Sequence, residues 1–306
     1  MSDNIKNWKT HYGKVLDSKE KYDVIECAEC KFRHIIPIPS QEELSSIYRN
    51  EYYSEDKPVF SIERFLEDIE WWQLVFRERF EKIEEFMDGK PGRILDVGSG
   101  TGHFLLEGKN RGWITKGIEP SRQALEYSKT LGLDVKDGFL TPESSHELGE
   151  FDVVHMSEVL EHIPDPLKFF GISHSLLKKD GLVCVVSPNE YNPFQNALKN
   201  IFDFKPWWVA PPHHINFFNR RSLFELLKKC GFSAVFHEST FPMEMFLLMG
   251  QNYVDDPDLG RQCHFNRKAF ELNLDRANLG DLKRRMYGFF SENDIGREIM
   301  VIGRKL

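Results

Sequence analysis

The run Asp96-Val97-Gly98-Ser99-Gly100-Thr101-Gly102 places an acidic side chain at the end of an apolar segment and glycines at alternate positions after it. Glycines permit the positive φ of a tight turn and let a ligand approach the backbone, and a helix opening behind them offers unpaired N–H groups. Such a loop is expected to hold a cofactor, the alternative being an ordinary tight turn. Its spacing is Gly-x-Gly-x-Gly, whereas a nicotinamide-dependent dehydrogenase needs the third glycine one position later. A carboxylate at Asp96 suits an ammonium group better than a pyrophosphate. Glu119, in Gly117-Ile118-Glu119-Pro120-Ser121, can accept hydrogen bonds from both ribose hydroxyls of an adenosine cofactor.

Two further groups carry chemistry. Cys27-Ala28-Glu29-Cys30 with His34 has metal-ligand spacing, and His11 upstream would complete a tetrahedral site of two thiolates and two imidazoles. The alternative is a packed cysteine pair, whose stability chelation would leave unchanged. In Trp207-Trp208-Val209-Ala210-Pro211-Pro212-His213-His214-Ile215-Asn216-Phe217-Phe218, adjacent histidines flanked by prolines and aromatics could supply one base and one orienting group. The alternative is an imidazole hydrogen-bonded to backbone in a buried loop.

These residues need elements to hold them. Residues 1–60 are aromatic and charged with little helical period and form a small N-terminal module. From Ser61 to Met87, Phe65, Ile69, Trp72, Phe76, Phe80, Ile83 and Phe86 recur at helical steps, so an amphipathic helix occupies residues 61–90, ended by Gly89, Pro91 and Gly92. Residues 91–306 alternate between strand and helix. Strands are expected at Arg93–Val97, Thr115–Ile118, near Val135, and at Phe151–Met156 and Gly181–Ser187, with helices after Gly102, at Ser121–Leu131 and at Arg221–Cys230. Repeated units of this kind imply a doubly wound, mostly parallel α/β sheet. Strands near Ala234–His237 and at Glu298–Gly303 would close it as an antiparallel pair, interrupted by a helical insertion over about residues 241–296. Glu158, Glu161 and His162 follow the fourth strand at the sheet edge where such folds bind ligands, although acidic residues there also favour a helix start.

The run Ile94 to Leu105, the segment Gly117 to Ser121 and the stretch Phe151-Asp152-Val153-Val154-His155-Met156-Ser157-Glu158-Val159-Leu160-Glu161-His162-Ile163 resemble class I methyltransferases. The nearest type is the ubiquinone-biosynthesis-like group, which also includes sugar and natural-product methyltransferases. The resemblance spans roughly residues 90–240 and is specific for the cofactor, not for the substrate. It implies a Rossmann-like fold and S-adenosyl-L-methionine as cofactor. Gly98, Gly100 and Gly102 would border the methionine moiety, with Ser99 and Thr101 between them and Asp96 near the ammonium. Glu119, beside Pro120, would hold the ribose, Asp137, Gly138 and Phe139 would flank the adenine, and Ser157, Glu158 and Val159 would line the pocket floor. The sequence departs from the family at Asp137-Gly138-Phe139, where Asp-Ala or Asp-Leu is more usual.

A sulfonium donor carries its own leaving group, so the protein has to align the reactants, exclude water and remove a proton from a hydroxyl acceptor. In enzymes of this type the segment after the fifth strand contributes to the acceptor pocket, and its His-x-Asn-Phe-Phe pattern is similar here. His213 or His214 is therefore the expected base, with His162 as a further candidate. The region from Tyr22 to Tyr53 is similar to the second half of a zinc-binding segment found in some polysaccharide and deoxysugar methyltransferases. That segment's first cysteine pair is absent here, so His11 and His34 replace it or the zinc has been lost.

The charge balance of 40 Lys+Arg against 48 Asp+Glu, without a long basic stripe, disfavours nucleic acid as a partner. No signal peptide or membrane-length apolar run is visible, so a cytoplasmic location is expected. Five cysteines without an export signal do not form a disulfide framework. The expected activity is O-methylation of a small molecule or glycan precursor. N- or C-methylation and a non-catalytic binding module are the alternatives. The aromatics Tyr191, Phe194, Phe202, Phe204, Trp207 and Trp208 form a lid or core, and the insertion around Met243 to Met249 caps the site, binds a partner or makes a homodimer contact.

Overall fold

A computed structural model describes residues 5–40, 42–44 and 62–306. The later part of the expected N-terminal module, residues 45–60, and the expected helix start at Ser61 lie outside the described residues.

The strands are β1 (Ile5–Trp8), β2 (His11–Lys19), β3 (Tyr22–Cys27), β4 (Arg33–Ile36), β5 (Arg93–Val97), β6 (Ile114–Glu119), β7 (Val135–Asp137), β8 (Phe151–Ser157), β9 (Leu177–Pro188), β10 (Asn216–Phe217), β11 (Phe232–Ser239) and β12 (Glu298–Lys305). Seven of them form one sheet in the order β11-β12-β9-β8-β5-β6-β7. All its strand pairs are parallel except those of β12, which is antiparallel to both β9 and β11. The expected Rossmann-like sheet and its antiparallel C-terminal strand are present.

Register decides which loops meet. Val97 pairs with Ile118 on one side and Met156 on the other, so β5, β6 and β8 end level and the segments 98–102, 119–121 and 157–159 emerge side by side. The chain runs outward through β6 and β7 and returns to build β8 and β9 on the other flank. The crevice where the winding reverses is where open α/β sheets bind ligands. Leu95, Val97, Val154, Met156, Val183 and Val185 pack on one face of the sheet, and Ile94, Val153, Leu182, Cys184 and Val186 on the other, against Phe76, Phe80 and Ile83 of helix Ile69–Glu85.

The amphipathic helix before the sheet is broken once. Helices Ile62–Glu67 and Ile69–Glu85 meet at Asp68, whose carboxylate is engaged by Lys268 and His264 of the insertion. The insertion between β11 and β12 consists of helices Glu244–Leu248, Pro257–Arg276 and Gly280–Glu292. It leans on helix Ile69–Glu85 through Trp71–Glu271, Arg77–Asp275 and Lys283–Glu78 contacts. Among the described residues no helix is long and apolar enough to cross a membrane.

The N-terminal strands form an antiparallel meander that does not close on itself. Its sheet runs β1-β2-β3-β4-β10, so its last strand comes from the His-x-Asn-Phe-Phe segment nearly two hundred residues later. Tyr22, Val24 and Ile35 share a core with Tyr191, Trp208, Val209, Ile215 and Phe217. Tyr191 and Trp208 are therefore core, not lid, because they are covered by the N-terminal sheet.

Candidate functional site

Residues from the ends of β5, β6 and β8, from helices Ile62–Glu67 and Ile69–Glu85, and from insertion helix Pro257–Arg276 enclose a cavity of about 1660 Å³. That exceeds an ordinary small-molecule pocket of roughly 300–1,000 Å³ and leaves room for two reactants. The insertion thus caps the site, as one of the readings of its sequence had it.

At one end lies the glycine loop. Gly98, Gly100 and Gly102 have φ of 71°, 52° and 80°, a left-handed backbone that L side chains rarely adopt. A Cβ at Gly98 would stand 2.6 Å from Val159 Cγ2, across the cavity floor. Gly102 serves packing instead. It does not line the cavity, and a Cβ there would meet Leu133 Cδ1 at 2.6 Å. Glu119 ties the loop to β6: its two carboxylate oxygens accept from the backbone N–H groups of Gly100 (2.7 Å) and Ser121 (2.8 Å). Burial, aided by the charges of Asp96 and Asp137 and opposed by these two hydrogen bonds, raises its pKa to about 7. Pro120, Gly138 and Phe139 line the cavity beside it, but Asp137 does not.

Asp96 is fixed by a chain the sequence reading missed. His155 Nδ1 donates to Asp96 Oδ1 at 2.6 Å, and Arg79 Nη1 lies 3.0 Å from His155 Nε2. Burial lowers the pKa of His155, so the neutral ring donates to the carboxylate and accepts from the guanidinium. Arg79 is only 6% exposed, and it lines the cavity with Asp96 and His155. A signal existed for both: Arg79 falls on the apolar stripe between Phe76 and Ile83, and His155 interrupts the apolar run Val153 to Met156. A polar residue at a core position needs a partner. Ser99 Oγ is likewise buried, with no hydrogen-bond partner among the described residues. Left-handed glycines, a paired Asp96, an Arg79 guanidinium and the unmatched Ser99 hydroxyl together fit a zwitterionic amino-acid group, and Glu119 fits a ribose.

The opposite end is acidic. Glu158 lines the cavity with a left-handed φ of 55°, a strain of the kind found at functional sites. Desolvation by the surrounding cavity walls and the nearby Glu161 and Glu298 charges hold its carboxyl well above the usual range. Glu161, on the short 3₁₀ turn Leu160–His162, is 1% exposed, and its Oε1 is buried without a hydrogen-bond partner among the described residues. His162 lines the cavity, and its Nδ1 donates to the His213 carbonyl at 2.6 Å. Burial and the nearby His214 push His162 down to about 3, so its ring is neutral.

The three candidate histidines are thereby separated. His162 reaches the cavity; His214 stands one layer behind it, with ring centroids 5.2 Å apart. His213 does not line the cavity, and its backbone carbonyl is what orients His162. His214 Nδ1 is 3.2 Å from Glu190 Oε1, and although burial pulls its pKa down, the Glu190 carboxylate outweighs burial and raises it. Glu161, His162 and His214 bring one carboxylate and two imidazoles within 4.8 Å of one another, a donor set that suits a divalent cation.

A second cluster lies in the N-terminal sheet. His11, Cys27, Cys30 and His34 each offer a donor atom within 4.8 Å of the others. His11 Nδ1 is 3.3 Å from Cys30 Sγ and 3.7 Å from Cys27 Sγ. His34 is 1% exposed, its Nδ1 donates to the Ile35 carbonyl at 3.0 Å, and its Nε2 is buried with no hydrogen-bond partner among the described residues. A histidine with one nitrogen anchored to backbone and the other turned, unmatched, toward two thiols has the arrangement of a metal ligand. The donor set fits tetrahedral zinc.

A family model described as a methyltransferase domain matches residues 71–237, more than half of the chain. Among curated proteins, the ubiquinone biosynthesis O-methyltransferase of Ruegeria pomeroyi is 29% identical over 150 residues, 47% of this chain and 60% of that protein. The enzyme of the same name from Haemophilus ducreyi is 33% identical over 122 residues, 36% of this chain and 52% of its own length. The chain thus spans between half and three fifths of these relatives. A crystal structure of an S-adenosylmethionine-dependent methyltransferase from Archaeoglobus fulgidus shares the fold, with a TM-score of 0.50 at 18% identity over 79% of this chain and 99% of that one.

Proposed function

The chain belongs to the class I methyltransferase-domain family, and from that premise we propose that it moves a methyl group from S-adenosylmethionine to a hydroxyl of a small-molecule or glycan-precursor acceptor. One observation carries the reading: a single cavity joins the Asp96–Glu119 end to the Glu158–His162 end. Donor and acceptor can therefore meet in line.

When bound, S-adenosylmethionine would supply an activated methyl group. Asp96 holds the ammonium, Arg79 and the Ser99 hydroxyl receive the carboxylate, Glu119 accepts from the ribose, and Gly138 and Phe139 flank the base. His162, with Nδ1 anchored on the His213 carbonyl, presents Nε2 to the acceptor hydroxyl. The His214–Glu190 pair is the resting place for the proton, because Glu190 stabilises a charged imidazole there. The relatives' printed names favour oxygen as the methylated atom.

A second reading of the acceptor end has its own observation, the unmatched Glu161 Oε1. In it Glu161, His162 and His214 hold a divalent cation, whose charge would lower the pKa of the acceptor hydroxyl. Turnover of the chain with its Cys/His centre loaded is then raised by added Mn²⁺ or Fe²⁺, ions that two imidazoles and a carboxylate can hold. Turnover indifferent to both would leave the histidine pair as the base.

The first test is calorimetric titration with S-adenosylhomocysteine, followed by mass-spectrometric detection of methylated acceptors. Absence of binding by folded protein would overturn the reading. The affinity should also depend on pH. Glu119 has a pKa raised to about 7, and the ribose hydroxyls bind its ionised form. Affinity should therefore be constant above that value and fall as pH drops through it, by up to about tenfold per unit. A flat profile from pH 5.5 to 8 would refute the role of Glu119.

A further inference from the structure

The N-terminal metal-type cluster and the acceptor-side histidines lie in different parts of the sequence, yet the backbone joins them in two steps. His11 opens β2, Cys27 closes β3, Cys30 lies in the turn that follows, and His34 is inside β4. A metal on these four side chains therefore clamps three strands of a small sheet. The exposed edge of β4 is the template for β10. Asn216 pairs with His34, Phe217 pairs with Arg33, and Ile35 N–H donates to the Ile215 carbonyl at 2.9 Å. A two-residue strand has too few hydrogen bonds to place itself, so β10 is held between β4 on one side and, on the other, the Leu160–His162 turn and the Asn189–Phe218 bridge.

From β10 the next step reaches the acceptor end. Asn216, 2% exposed, donates through Nδ2 to the carbonyls of Leu160 (3.1 Å) and Ile163 (2.7 Å), one on each side of Glu161 and His162. Ile215 N–H donates to the Glu161 carbonyl at 2.8 Å. The chain just before β10 carries His214 and the His213 carbonyl that anchors His162. Asn216 thus has the register of His34 on one side and the backbone of the acceptor-side turn on the other.

We propose that the His11/Cys27/Cys30/His34 centre governs the acceptor end of the cavity, with Asn216 as the positioning residue that transmits the placement of β4 to Glu161, His162 and His214. The inference rests on the zinc reading of the cluster and on the methyl-transfer reading of the cavity. The cofactor end is outside its reach, because Asp96 and Glu119 are held by the large sheet and helix Ile69–Glu85. Metal loss and Asn216 substitution should therefore act on the acceptor side alone.

The experiment uses the full chain in three forms: zinc-loaded parent, Cys30→Ser, and zinc-loaded Asn216→Ala. Cys30→Ser removes the metal without a chelator and leaves the donors of the acceptor end untouched. Zinc content, S-adenosylhomocysteine affinity, hydrogen exchange by segment and the imidazole NMR signals of His162 and His214 are read for each. Cys30→Ser should exchange faster over residues 158–164 and 206–218, with residues 93–102 and 114–139 unchanged and the affinity within about threefold of the parent. Asn216→Ala should keep its zinc and its affinity, shift the His162 and His214 signals, and lower kcat at least tenfold with the KM for the methyl donor unchanged.

If Cys30→Ser unfolds the chain, Asn216→Ala decides alone. Unaltered histidine signals and turnover in Asn216→Ala would overturn the inference, as would faster exchange in Cys30→Ser confined to residues 5–36. A parent chain that binds no zinc overturns both the inference and the zinc reading. Failure of all forms to bind S-adenosylhomocysteine strikes the methyl-transfer reading instead, since the exchange and NMR readouts do not depend on it.

Discussion

Replacing Glu119 by alanine is expected to weaken S-adenosylhomocysteine binding by two to three orders of magnitude. The side chain has two tasks, and alanine ends both. In the proposed role its carboxylate offers lone pairs to the two ribose hydroxyls, and hydrogen bonds to an ionised acceptor contribute about 1.5–3 kcal/mol each. Together they amount to roughly 3–6 kcal/mol, where 1.4 kcal/mol is a factor of ten, so two to three orders of magnitude is the lower part of that range. The same carboxylate accepts from the amides of Gly100 and Ser121, so its loss also releases the glycine loop from β6. Glutamine is not a conservative replacement here. With backbone N–H groups facing both oxygens, an amide would oppose one donor with another. Glu119→Gln should therefore fall close to Glu119→Ala in calorimetry at pH 8, where the parent is ionised. Near-parental affinity in both variants would mean that the ribose is held elsewhere.

Substitution at the acceptor end should leave binding intact and reduce turnover. His162→Ala and His214→Ala are each expected to lower kcat by about two orders of magnitude or more, the usual scale for a positioned proton-transfer group, with S-adenosylhomocysteine affinity within about threefold. His213→Ala should retain most of its turnover, because the group it contributes to His162 is a backbone carbonyl. The pH profile should separate the two histidines of the proposed mechanism. His162, held near 3 by burial, does not titrate in the working range. The acid limb belongs to His214, whose pKa Glu190 raises above the ordinary histidine value. Turnover should therefore fall as pH drops through a value above about 6.5, and His214→Ala should abolish that limb. A His213→Ala variant as inactive as His162→Ala would reverse this assignment of roles.

These expectations differ in how much of them the amino-acid order carried by itself. The glycine loop, Asp96 and Glu119 were legible because their chemistry is local: a strand, a turn needing positive φ and a helix start follow one another within a dozen residues. The helices and strands of the sheet were legible for the same reason, since burial of one face imposes a period of 3.6 or 2. The four donors His11, Cys27, Cys30 and His34 were legible by type, as consecutive strands of a meander bring them together. What lay beyond reach was every contact between distant segments. The ranking of the histidines depends on which ring reaches the cavity, and loop 206–218 places His214 one layer behind His162. The Arg79–His155–Asp96 chain joins a helix to two strands and shows in the sequence only as two polar residues on apolar faces. The end of the N-terminal module could not be read either, because β10 enters its sheet from nearly two hundred residues away. Spacing along the chain determines local geometry, but a cavity wall is made by segments whose proximity only the packed sheet and its register decide.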